Sequence, residues 1–238
     1  MSKITDFLDK ISDAAPTPIG FGATRGEKHP GLGLVVSLAK PNQDQIKKMS
    51  TVCDGFIFKA PPSKSVSDKL TNPWILDGAI PTENLKTLLE IGCDSICCDL
   101  TSSATTIAED NLGVFLKLNI NIDWQQLTII NTLPVDGYII EFNDISNQIN
   151  LDQLSKIGLI THGTDKYCLL TVSSAPAAKE LEALRKIGVI GIIMNGDNSD
   201  FSDVKQLKDE LLAMPSPNHK KKDNPHLKSS GSVFELEG

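Results

Sequence analysis

Arginine is nearly missing from this chain: of the 23 basic residues only Arg25 and Arg185 are arginine. The planar fork that grips phosphates and carboxylates at two points is therefore scarce, and anions fall to lysines and backbone amides. Histidine is as sparse. None of the four, His29, His162, His219 and His226, stands at the end of a strand-like run, which argues against an imidazole-built transition-metal centre. No apolar run reaches the ~18 residues that a membrane-spanning helix needs. The opening MSKITDFLDKIS is charged and amphipathic and lacks the apolar core of a secretory signal. Positive charge is in deficit, with 23 Lys and Arg against 30 Asp and Glu and a net charge of −7. Nucleic acid and anionic membrane are poor partners for such a surface. The five cysteines, Cys53, Cys93, Cys97, Cys98 and Cys168, lie in or beside apolar runs, with no CxxC pair and no companion histidine. Buried free thiols in a reducing cytoplasm are expected, and a zinc site is not.

What the chain does have is a repeat. Residues 166–197 read KYCLLTVSSAPAAKELEALRKIGVIGIIMNGD, a strand, loop, helix, strand and loop. Residues 73–99, PWILDGAIPTENLKTLLEIGCDSICCD, are an earlier copy: Leu85, Leu88, Ile91 and Gly92 match Leu181, Leu184, Ile187 and Gly188, 96 residues on. A second pair, CDGFIFK at 53–59 and VDGYIIE at 135–141, matches at an offset of 82. Strand–helix units repeated in two halves predict a closed (β/α)8 barrel. The length of 238 residues is close to the ~250 typical of one such barrel. The composition, 40% hydrophobic and 22% charged, suits one globular domain with a sizeable core.

In chain order, residues 3–15 place Ile4, Phe7, Leu8 and Ile11 at helical spacing, a helix suited to plugging the bottom of a barrel. Residues 16–33, rich in Gly and Pro and carrying Arg25, read as a loop at that bottom face. Strands are expected at 33–39, 55–59, 74–77, 95–99, 113–119, 137–141, 168–173 and 190–195. Helices are expected near 43–50, 82–91, 123–133, 151–160, 176–187 and 201–213, with short helical connections at 68–70 and 101–110. Asp123 should cap the fifth-strand connection, and Ser199 or Asp200 the last helix. The barrel thus occupies 1–214. Residues 215–238, with three lysines at 220–222 and a Ser/Gly linker, read as a flexible tail. Val233, Phe234 and Leu236 could dock it on a partner.

Strand residues alternate between barrel interior and helix layer. Facing the apolar residues toward the helices sends Leu34, Val36, Leu38, Phe56, Phe58, Leu76, Ile96, Cys98 and their counterparts outward. The same rule turns Lys59, Asp77, Asp99, Lys117, Asn119, Glu141, Ser173 and Asn195 inward at the strand ends, where barrel sites form. Charges crowded into a barrel mouth either pair or act, because desolvating them is costly. Neighbouring strands suggest the pairs Lys59 with Asp77 and Lys117 with Asp99. A lysine whose pKa is lowered there can serve as base or form a Schiff base. Lys117 is the first candidate, with Asp99 and Glu141 as proton-transfer partners and Lys59, Asp77 and Asn119 positioning substrate. Lyase, decarboxylase or isomerase chemistry on a small polar metabolite follows. Alternatively Asp77, Asp99 and Glu141 could hold Mg²⁺ through oxygen. A third reading, without catalysis, makes the charged mouth an ion-pair plug in a binding scaffold. An open cleft over Lys117 would favour the enzyme, and a mouth closed by direct Lys–Asp pairs the scaffold. The partner expected is a small molecule, with a homodimer the assembly open to a barrel of this kind.

The segment from strand 7 to strand 8, with its xELxxLxxxG helix, resembles the last quarter of phosphate-binding (β/α)8 barrels, ribulose-phosphate-binding and flavin-binding members among them. The resemblance covers roughly 30 residues and implies a phosphate held by backbone amides after strands 7 and 8. The matching positions are Ser173, Ser174, Asn195 and Gly196. It also brings flavin mononucleotide into view as a cofactor, although no residue spacing identifies an isoalloxazine contact. The chain departs from the family in having Ser173–Ser174 where glycines are usual, and in carrying Asp197 and Asp200 beside the expected anion.

Overall fold

The computed structural model describes residues 2–12, 31–40, 42–78, 85–108, 112–142, 148–197 and 199–215. Arg25, Val233, Phe234, Leu236 and the tail expected from 216 onward lie outside these residues. Helix α1 (Lys3–Ser12) comes first. Then follow β1 (Gly33–Leu38), α2 (Gln43–Met49), β2 (Gly55–Phe58), α3 (Lys64–Ser67), β3 (Trp74–Asp77), α4 (Leu85–Glu90) and β4 (Ser95–Cys98). A 3-10 turn (Ala104–Ala108) leads to β5 (Gly113–Asn119), α5 (Trp124–Ile130), β6 (Gly137–Glu141), α6 (Leu151–His162), β7 (Tyr167–Val172), α7 (Ala178–Lys186), β8 (Gly191–Asn195) and α8 (Phe201–Ala213). Every neighbouring pair is parallel, and β8 closes on β1 with Gly33 opposite Gly191 and Ser37 opposite Asn195. The chain is a (β/α)8 barrel, as its repeat implied.

Two layers of core follow from the period-two alternation of the strands. Leu34, Val36, Leu38, Phe56, Phe58, Trp74, Leu76, Ile96, Tyr138, Leu170 and Ile192 pack outward against the helices. Val35, Ile57, Ile75, Cys97, Phe115, Ile139, Leu169 and Ile193 fill the barrel interior. Helix α1 joins this inner cluster through Ile4, Leu8 and Ile11, so it is the plug that its spacing suggested. Asp94, just before β4, accepts the α1 backbone N–H groups of Lys3 at 2.6 Å and Ile4 at 3.1 Å. A carboxylate at a helix N-terminus satisfies amides that have no partner within the helix.

Both repeats have structural counterparts four strands apart. Gly92 and Gly188 end α4 and α7 with φ of 78° and 99°, a left-handed conformation that favours glycine. In each copy the amide after that glycine bonds back to the matching leucine: Cys93 to Leu88 at 2.9 Å and Val189 to Leu184 at 3.1 Å. In the second repeat Asp54 accepts the Leu34 amide at 2.8 Å, and Asp136 accepts the Val114 amide at 2.7 Å. Each carboxylate ties the start of one strand to its neighbour.

Asp123 caps α5 by accepting the Gln126 amide at 2.8 Å. Asp200 is the residue that opens α8, with its own amide donating to Asp203 at 3.3 Å. The connection expected to be helical at 68–70 is instead helical one turn earlier, in α3. All five cysteines are buried and free. Burial pushes the thiols of Cys53, Cys93 and Cys168 up to about 12. Among the described residues no helix is long and apolar enough to cross a membrane.

Candidate active site

The C-terminal ends of the strands open into a cavity of about 320 Å³. Its charged lining is Lys59 after β2, Asp77 at the end of β3, Lys117 on β5 and Glu141 at the end of β6. Ser37, Thr171, Ser173 and Asn195 add neutral polar groups, and Ile57, Cys97, Ile139 and Ile193 form the floor and walls. The volume lies at the small end of the ~300–1,000 Å³ range of ligand pockets.

Lys117 forms an ion pair with Asp77, the two side chains being 24% and 16% exposed. This corrects the pairing expected from adjacency, Lys117 with Asp99 and Lys59 with Asp77. Strand register supplies the reason. Asp77 is level with Cys97, and Cys97 with Phe115, so Lys117 stands two residues further along β5. Its long side chain spans β4 to reach β3. Asp99 would face Lys117 if β4 continued, but β4 ends at Cys98. Asp99 is exposed and closes a turn, accepting the Thr101 hydroxyl, the Thr101 amide at 2.8 Å and the Ser102 hydroxyl at 3.3 Å. The bonds from Thr101, its hydroxyl foremost, hold the Asp99 carboxyl below the usual carboxylate range.

The triad of acids considered for Mg²⁺ is therefore not assembled. Among the described residues no cluster of three His, Cys, Asp or Glu side chains could hold a metal ion. Asn119 is likewise outside the cavity lining; it is exposed, and its carboxamide oxygen accepts the Asn121 amide at 2.9 Å. Lys59 does line the cavity and is exposed, without an ion pair among the described residues. Glu141 also has no ion pair among them. The backbone on either side of Glu141 is clamped by the Thr171 hydroxyl, which accepts the Phe142 amide at 2.9 Å and donates to the Ile140 carbonyl at 3.0 Å. Thr171 was absent from the sequence-based site, although the inward parity of β7 pointed to it. Ser37 and Cys97 could have been found from the same signal.

The electrostatics reverse the expected state of Lys117. Burial pulls its pKa down and is the largest single influence. The hydrogen bond and charge of Asp77, followed by Cys97 and Glu141, together outweigh burial, and the net shift is upward. Lys117 is an ammonium at neutral pH, unsuited to act as base or to attack a carbonyl as a free amine. A raised folded-state pKa adds stability that is complete below the unfolded lysine value of about 10.4 and disappears as pH climbs through the folded value. The stability gap between wild type and Lys117→Met should therefore narrow from pH 9 to pH 11 in denaturant titrations. A gap independent of pH would show that the ion pair contributes nothing to folding.

The backbone amides at the exit of β8 are engaged within the protein. The Gly196 amide donates to the Ser37 carbonyl at 2.8 Å, continuing the β8–β1 ladder. Its carbonyl accepts Gln45 Nε2 at 2.9 Å. A Cβ on Gly196 would lie 2.5 Å from Val36 and 2.8 Å from Leu38, so strand packing explains this glycine. The Asn195 carboxamide oxygen accepts the Asp197 amide at 2.9 Å, and Asp197 accepts the Ala39 amide at 2.7 Å. Ser173 lines the cavity, whereas Ser174 does not. Both serines already have partners.

No protein-family model matches the chain, and no curated protein does. Solved structures do match. The tryptophan synthase α-subunit of Pyrococcus furiosus, in a mutant form, is 10% identical with a TM-score of 0.59, over 76% of this chain and 98% of that one. N-(5'-phosphoribosyl)anthranilate isomerase from the same organism is 11% identical with a TM-score of 0.56, over 77% and 100%. A 3-hexulose-6-phosphate synthase is 14% identical with a TM-score of 0.55, over 76% and 99%. At these identities the likeness is one of fold.

Proposed function

We propose that this barrel is an enzyme that moves a proton next to the carbonyl of a small polar metabolite, an isomerase- or lyase-type reaction carried out in the cytoplasm. The observation that carries the reading is a carboxylate, Glu141, without an ion pair among the described residues and facing the same open cavity as the protonated Lys117. Glu141 removes the proton, and the C–H electron pair shifts onto the carbonyl oxygen as an enolate. The Lys117 ammonium stabilises that oxyanion, and Glu141 returns the proton to the substrate. Asp77 positions Lys117 and keeps it charged. Lys59, Ser173 and Asn195 face the remainder of the substrate. The step requires no cofactor. Three features support an enzyme: the position of the cavity at the strand ends, the clamp that fixes Glu141, and the kind of enzymes whose fold the chain shares. The scaffold reading asks for a mouth sealed by Lys–Asp pairs. One such pair forms, and the cavity stays open beside it.

Proton transfer can be observed before the net reaction is known. Short oxo-acids and sugar phosphates incubated with the protein in D₂O should include one whose α-hydrogen exchanges, followed by proton NMR. Glu141→Gln should slow that exchange by about 10²–10⁴-fold. An absence of exchange across such compounds, or exchange undiminished in Glu141→Gln, would remove this proposal.

A further inference from the structure

We infer that the anionic group of the substrate is a carboxylate seated on Lys59 at the β2 exit, and not a phosphate held at the β8 exit. This rests on the reading of the mouth as a small-molecule site. At β8 the donors that a phosphate would use are engaged: the Gly196 amide by Ser37 and the Asp197 amide by Asn195. The Asp197 carboxylate sits at the same exit, fixed by the Ala39 amide. A phosphate dianion placed there would meet a fixed negative charge and no available backbone donor from these two residues. Among the described residues no guanidinium lines the cavity. Arg185 donates instead to the Pro215 carbonyl at 2.6 Å.

Of the two cavity lysines, Lys117 is held by Asp77. Among the described residues Lys59 is left as the cavity cation for an incoming anion. One compact ammonium suits a monoanionic carboxylate better than a phosphate, which favours several donors or a bidentate fork. Strand order adds direction. β2 and β6 lie four strands apart in a closed ring of eight, so Lys59 and Glu141 stand across the mouth from one another. They are also equivalent positions of the 82-residue repeat. A short oxo-acid bridges them, with its carboxylate on Lys59, its carbonyl oxygen toward Lys117 and its acidic C–H toward Glu141. The small cavity favours a short chain.

Calorimetric titration with 2-oxobutyrate, inorganic phosphate and glycerol 3-phosphate tests this. Wild type should bind 2-oxobutyrate, and Lys59→Gln should weaken it by roughly tenfold, the usual loss of one charge-assisted bond. Lys205→Gln, an exposed change on α8, should leave the affinity unaltered. Phosphate and glycerol 3-phosphate should not displace the oxo-acid. Unchanged affinity in Lys59→Gln would overturn the inference. So would a phosphate compound that competes. If that compound loses its binding in Lys117→Met, the mouth remains the site and only its ligand class is wrong. Failure of all three probes to bind would remove both the inference and the proposed site.

Discussion

Lys117→Met should slow the α-hydrogen exchange of a bound oxo-acid by about 10²–10³-fold, the usual loss when one donor to a developing oxyanion is removed. Methionine keeps the length and apolar stem of lysine but carries no charge, so the cavity keeps its shape. The effect should lie in the chemical step more than in binding, because the oxyanion develops only as the proton leaves. Asp99→Asn is the matched control. Asp99 is exposed and committed to Thr101 and Ser102, so its exchange rate should equal that of wild type. Asp77→Asn should fall between them, since it leaves Lys117 in place but without its orienting partner. A rate unaltered in Lys117→Met would assign the charge at this position to structure alone.

The second large effect is on folding. Asp54→Ala should destabilise the protein by about 3–5 kcal/mol, the range for removing one partner of a largely buried ion pair. Lys208 reaches Asp54 at 2.6 Å, and the side chains are only 15% and 14% exposed. The same carboxylate accepts the Leu34 amide through its other oxygen. Alanine would strand both an ammonium and a backbone donor next to the outer core. For a chain of this size the melting temperature should fall by roughly 6–20 °C. Asp54→Ala combined with Lys208→Met should recover part of the loss, because the orphaned charge is gone and only the Leu34 amide remains unsatisfied. If the double variant were no more stable than Asp54→Ala, the loss would come from the strand tie rather than from the ion pair.

The barrel was legible because its signals are periodic. Alternation along each strand separated Val35, Ile57 and Ile139 from Leu34, Phe56 and Ile140 without any knowledge of neighbours, and both layers are found as that rule assigned them. The repeats located matching elements in the two halves, down to the left-handed glycines Gly92 and Gly188. The pairing of charges was not legible, because it depends on where strands end and how they stagger. A lysine can span a neighbouring strand, and parity alone cannot tell β4 from β3 as the source of its partner. One local cue was present. Asp99-Leu100-Thr101-Ser102 carries the spacing of an Asp-capped turn, which marks β4 as ending before its acid. Gly196 misled for a related reason. A glycine after a barrel strand signals either a phosphate or close packing. Only the contact with Val36 and Leu38 distinguishes the two.

The most direct test of the central claim, that the barrel mouth binds a small anionic molecule with Lys59 as its counter-charge, is thermal unfolding of wild type and Lys59→Gln. Each would be melted against short oxo-acids, sugar phosphates, flavin mononucleotide and Mg²⁺. A ligand at ~100 times its dissociation constant adds about 2.7 kcal/mol to stability, a rise of roughly 5–10 °C for a chain of this length. The account predicts such a rise in wild type with an oxo-acid, cut to about half in Lys59→Gln by a tenfold loss of affinity. No rise with any compound, or an equal rise in both proteins, would contradict it.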